Sequence, residues 1–76
     1  MKSFLVIGIG SFGFHLVRYL SEQGCEILVC DRNEERLESV LPWATSAKIG
    51  DCTNPEVLAS FDVESFDACF VCDSSY

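Results

Sequence analysis

Three glycines at positions 8, 10 and 13 stand directly behind the apolar run Phe4-Leu5-Val6-Ile7, and a carboxylate, Asp31, ends the next apolar run 18 residues beyond Gly13. Strand, glycine-rich turn, helix, strand and acid in that order form a dinucleotide-binding fingerprint, and the context makes it far more specific than the bare glycine spacing. Each glycine has its own task. Gly8 permits the tight turn out of the strand, Gly10 lets a pyrophosphate approach the backbone, and Gly13 lets the following helix pack closely on the sheet. The amides of Ser11, Phe12 and Gly13 at the start of that helix lack intrahelical acceptors and lie at the positive end of its dipole, which suits phosphate. Asp31 is placed to accept from both hydroxyls of a ribose. Its charge disfavours a 2′-phosphate, while Arg32 next door works against that preference.

Two further acids fall on the same edge. Gly50-Asp51 follows the third apolar run, so Asp51, with the backbone of Cys52, is expected to accept from an adenine amino group; the plainer role for Asp51 is a helix cap. Asp73 and Cys72 close the fourth run and are expected to border the pyrophosphate. Cys69-x-x-Cys72 has redox spacing but lies within a strand, away from any helix N-terminus that would stabilise a thiolate. His15, the sole histidine, reads as a solvated helix position, and a zinc site would need more ligands. The sequence holds no Ser/His/Asp set and no Tyr-x-x-x-Lys pair. These observations favour a binding module over an enzyme. The rival reading is the N-terminal, cofactor-binding half of an NAD-dependent dehydrogenase.

The elements that position these residues follow from pattern. Residues 3–7 are continuously apolar, as a strand buried on both faces requires. A helix of about ten residues follows, with Gly13, Leu16, Val17 and Leu20 on its core face and Gly24 as its C-terminal stop. Residues 26–30 form the second strand. Asn33 caps a second helix with apolar positions Leu37, Val40 and Leu41, and Pro42 stops it. Residues 45–49 form a weaker third strand. Thr53 and Glu56 have capping-box spacing ahead of a short helix that faces Val57, Leu58 and Phe61 inward. Residues 68–72 form the fourth strand. The order βαβαβαβ implies a Rossmann-like parallel sheet in the α/β class, joined by right-handed crossovers and holding the first four strands of a doubly wound sheet. We expect one domain over residues 1–76, truncated at its C-terminal end.

Composition narrows the partners. Twelve acidic and five basic residues give a net charge of −7, which argues against a nucleic-acid backbone or an anionic lipid surface as partner. No apolar stretch reaches the roughly 18 residues of a spanning helix, and Met1-Lys2 leads directly into a strand, so neither membrane insertion nor a signal peptide is expected. The five cysteines, three of them in or ending apolar strands, are expected to be reduced thiols in the cytosol. A hydrophobic content of 49% is high for so short a chain and calls for covering by further chain or a partner subunit.

Three segments together, Val6-Ile7-Gly8-Ile9-Gly10-Ser11-Phe12-Gly13, Val29-Cys30-Asp31-Arg32-Asn33-Glu34-Glu35 and Ile49-Gly50-Asp51-Cys52-Thr53, resemble the RCK N-terminal (KTN, TrkA-N) domain. The resemblance covers essentially the whole chain. Its specific part is Gly-Asp-Cys-Thr after the third strand, joined to the acidic start of the second helix. It implies a non-catalytic regulatory domain that binds ATP, ADP or NAD(H), pairs into dimers that assemble as a ring, and acts on a membrane-embedded potassium pore from the cytoplasmic side. Carried onto this chain, it implies that Gly8, Gly10, Ser11, Phe12 and Gly13 hold phosphates, that Asp31 takes the ribose, and that Asp51 and Cys52 border the adenine. Many ATP-binding members have Arg where this chain has Ser11, so the resemblance does not select ATP over ADP or NAD.

Overall fold

A computed structural model describes residues 2–51, 54–60 and 63–72. Four strands, Ser3–Ile7 (β1), Glu26–Asp31 (β2), Ser46–Ile49 (β3) and Ala68–Val71 (β4), alternate with three helices, Ser11–Glu22 (α1), Glu34–Val40 (α2) and Pro55–Ser60 (α3); a 3-10 turn, Val63–Ser65, leads into β4. All pairings are parallel and the strand order is β3-β2-β1-β4. The chain therefore starts in the middle, moves outward through β2 to β3, and returns to the other side of β1. That reversal places a topological switch point between β1 and β4. The fold is the Rossmann-like, incomplete α/β sheet expected.

The alternation of side chains along β1 divides the core into two faces. Val6 joins Ile27 and Val29 of β2 under Val17 and Leu20 of α1 and Leu37 and Val40 of α2. On the opposite face Leu5, Ile7 and Cys30 form a smaller cluster against Leu28, Val57 and Phe66. The two central strands carry most of the fully buried residues, as their unbroken apolar runs require, whereas β3 is exposed along its length.

Several local expectations need adjustment. α1 runs to twelve residues rather than about ten, ending at Glu22 with Gly24 two residues beyond at φ +77°. β3 begins at Ser46, because Thr45 turns into the sheet margin: its amide donates to the Ile27 carbonyl (2.8 Å) and its hydroxyl accepts from the Ile27 amide (3.1 Å). Leu41 is 49% exposed instead of lying on the apolar stripe. The amides of Trp43 and Ala44 both donate to the Val40 carbonyl, so the chain turns back there and Trp43 covers the core margin in place of Leu41. Trp43 meets Phe14 edge-on at 5.7 Å, and the Arg18 guanidinium lies 5.1 Å from the Trp43 ring centroid. The cap of α3 is Asn54, whose side chain accepts from the Glu56 amide at 2.9 Å; Thr53 and Phe61, and the side chain of Leu58, lie outside the described residues. Cys25, Cys69 and Cys72 are free thiols. Cys30 is disulfide-bonded, against the expectation of a thiol. That expectation treated each sulfur as a lone hydrophobe, and pairing depends on which sulfurs the fold brings together.

Candidate functional site

The switch point gathers the carboxyl ends of β1 and β4 under the N-terminus of α1. Gly8 leaves β1 with φ +82°, a left-handed conformation that glycine adopts without strain, and its amide donates to the Cys30 carbonyl at 2.8 Å. Gly13 is required for a different reason. A Cβ there would stand 2.7 Å from the Gly8 carbonyl oxygen and 3.4 Å from Cys72 Cβ, so the helix lies too close to the loop for any side chain. Gly10 is required by neither argument. Its φ of −90° and ψ of −164° suit any residue, and an added Cβ would meet nothing nearer than the Cys72 carbonyl oxygen at 3.8 Å. Among the described residues an added Cβ would meet only that oxygen, at ordinary van der Waals distance.

That helix start is also the one that lacks a capping side chain. Asn33 caps α2, accepting from the amides of Glu35 (2.9 Å) and Arg36 (3.4 Å), and Glu34 and Glu35 complement its dipole. Asn54 caps α3. For α1 the N-cap is Gly10, no side chain among the described residues caps it, and its first turn has no acid. The amides of Ser11, Phe12 and Gly13 are thus positioned as donors to an anion. Ser11 is exposed, and Phe12 is 68% exposed.

Asp31 ends β2 beside this loop and is only 7% exposed, the one buried charged residue among those described. Its Oδ2 accepts from the Ile9 amide at 2.6 Å and its Oδ1 from the Asn33 amide at 2.8 Å. The Arg36 guanidinium stands 3.9 Å from Oδ2, itself half exposed. Both oxygens are therefore already engaged with main chain. Each retains further lone-pair capacity for a ligand hydroxyl.

The remaining expected residues are distributed as follows. Arg32 is exposed. Asp51 is exposed beyond the end of β3, and its carbonyl accepts from the Asn54 amide at 3.1 Å, which ties it to the turn into α3. Cys52 and Asp73 lie outside the described residues. Cys72 extends β4 by donating its amide to the Ile7 carbonyl at 2.8 Å, and burial pushes its thiol above the ordinary range, so it stands beside the loop as a neutral group. Sequence reasoning missed Arg36. Its signal is the Asn33 cap three residues earlier, which puts position 36 in the first turn of α2, next to the tip of β2.

A cleft of about 250 Å³ lies at the opposite, amino-terminal edge of the sheet, between Ser3, Glu26, Thr45, Ser46 and Phe66. It has none of the donors described above, and parallel sheets present their ligand sites at the carboxyl ends of the strands. Among the described residues no cluster of three or more His, Cys, Asp or Glu side chains suits a metal ion, and no helix is long and apolar enough to cross a membrane.

Comparison with known proteins places these features in context. The family model of the TrkA-N domain matches residues 4–76. Over 66 residues the chain is 38% identical to Ktr system potassium uptake protein C of Bacillus subtilis (strain 168), 32% to Ktr system potassium uptake protein A of Vibrio alginolyticus, and 36% to Ktr system potassium uptake protein A of Bacillus subtilis (strain 168). Each alignment covers 87% of this chain and 30% of the relative, so the chain spans less than a third of their length.

Proposed function

Because the chain belongs to the TrkA-N domain family, we propose that it is the nucleotide-binding part of a regulator of potassium uptake. The observation that carries the nucleotide reading is the start of α1: a helix N-terminus at the switch point, with no side-chain cap among the described residues, where Gly10 presents no side chain. The ligand is an adenine nucleotide, NAD(H) or ATP/ADP. Its phosphates lie on Gly8, Gly10, Ser11, Phe12 and Gly13, and its ribose on Asp31 with Arg32 nearby. Asp51 and Cys52 border the adenine, and Asp73 the pyrophosphate. These residues fit such a ligand chemically, since they join amide donors for phosphate to a carboxylate acceptor for sugar hydroxyls.

The role is regulatory and not enzymatic. Among the described residues no acid–base or nucleophilic set stands at this edge, and the relatives named above are potassium uptake proteins. On this reading two copies pair, pairs assemble into a ring, and the ring acts on a membrane-embedded potassium pore from the cytoplasm. Nucleotide controls the assembly only to the extent that it binds two arrangements with unequal affinity.

A thermal-shift comparison of ATP, ADP, NAD and NADH on the intact protein tests the reading. A nucleotide present at a hundred times its Kd stabilises the folded chain by about 2.7 kcal/mol, so at least one of the four should raise the melting temperature by several degrees. If none does so at millimolar concentration, the nucleotide reading fails.

A further inference from the structure

We infer that Asp31 is a positioning residue for the glycine loop, and that the grip on a ribose and the shape of the phosphate cradle are set by one carboxylate. The Ile9 amide that bonds to Asp31 Oδ2 lies between the two glycines that approach the ligand. Ile9 is 3% exposed and its side chain is fixed in the core, so its amide is buried with it. Asp31 is the acceptor the structure gives that amide; without it a buried donor is left unpaired, which folded proteins avoid. On one side the Gly8 amide is tied to the Cys30 carbonyl, and on the other the Gly10 carbonyl accepts from the Phe14 amide at 2.9 Å. The Ile9–Asp31 bond completes this series and reaches across 22 residues of sequence from the tip of β1 to the tip of β2. The second oxygen, on the Asn33 amide, holds the start of α2 against the same group.

A carboxylate oxygen accepts more than one hydrogen bond, so Asp31 can hold both amides and still receive ribose hydroxyls. Its removal should then harm binding of the phosphates as well as of the sugar. A residue that only touches ribose would harm the sugar contact alone. This second consequence rests on the nucleotide reading; the first does not.

The test has two arms. In the first, amide hydrogen exchange is followed by NMR on the ligand-free intact protein and on Asp31→Ala and Asp31→Asn. The alanine variant should exchange Ile9 and Asn33 at least about tenfold faster, the strength expected of bonds to a charged acceptor, with the amides of Val6 and Val29 unchanged. The asparagine variant keeps one carbonyl acceptor, so one of the two amides should stay protected; it decides the matter if the alanine variant does not fold. Unchanged exchange at Ile9 in the alanine variant, or at both amides in the asparagine variant, overturns the inference. In the second arm, binding of ADP and of its 2′,3′-dideoxy analogue is measured by calorimetry. The inference requires Asp31→Ala to weaken the dideoxy analogue by a factor of about ten or more, and ADP by at least as much. Weakening of ADP alone makes Asp31 a ribose contact only and overturns the positioning role. If the unaltered protein binds neither compound, ADP falls as the ligand while the exchange measurement still decides the role of Asp31 in the loop.

Discussion

Gly10 and Gly13 are the same residue type three positions apart, and the molecule uses them for opposite reasons. Gly13 resolves a contact inside the protein: a methyl group there would overlap the Gly8 carbonyl at 2.7 Å, a backbone atom that cannot swing aside. Gly10 resolves no such clash, since its nearest would-be neighbour among the described residues is 3.8 Å away, and on the proposed reading it leaves room for a phosphate. The two alanine substitutions should therefore separate stability from binding. Gly13→Ala should lower folding stability by about 1–3 kcal/mol, as forced overpacking does. Gly10→Ala should leave stability within about 0.5 kcal/mol and weaken nucleotide binding. Urea unfolding paired with calorimetry on each variant checks both. Equal loss of stability in the two would remove the reason to assign Gly10 to a ligand.

At the scale of the elements, capping distinguishes the helices. α2 is closed by Asn33 and by two acids in its first turn, and α3 by Asn54. Their N-termini are thus satisfied internally and offer little to a ligand. α1 is longer, buries Gly13, Val17 and Leu20, and draws its stability from that packed face rather than from a cap. Asn33→Ala should accordingly cost about 1 kcal/mol, read as a lower urea midpoint with an unchanged slope. A cost near zero would mean that α2 is held by Leu37 and Val40 alone.

Considered whole, the molecule sets local attraction against global repulsion. Its net charge is −7, yet the proposed ligand is an anion. The attraction comes from helix amides at contact range, whereas the repulsion acts over the Debye length, about 10 Å at 0.1 M salt. Screening should weaken the second more than the first. The association rate of ADP, followed by stopped flow, should therefore rise as salt increases from 20 to 200 mM (roughly a threefold drop in screening length). A steep fall would indicate steering by a basic surface that the composition does not supply. The architecture was largely legible beforehand because its determinants are local. Continuous apolar runs give buried parallel strands, Asn33 and Gly24 mark helix ends, and three glycines mark the turn beneath α1. Where local signals were weak, at Thr45, Leu41 and the start of α3, the boundaries moved by a residue or a side chain changed its exposure. Sequence by itself thus determined the strand–helix alternation, the family and the carboxyl edge on which Gly8, Gly10, Gly13 and Asp31 meet. Tertiary structure alone decided that Trp43 rather than Leu41 closes the core, and that Asp31 holds the amides of Ile9 and Asn33. The reason is range. Capping and periodicity act within a few residues, whereas the partner of the Asp31 carboxylate depends on the parallel register that sets Ile7 against Cys30, and no pattern along the chain encodes that distance.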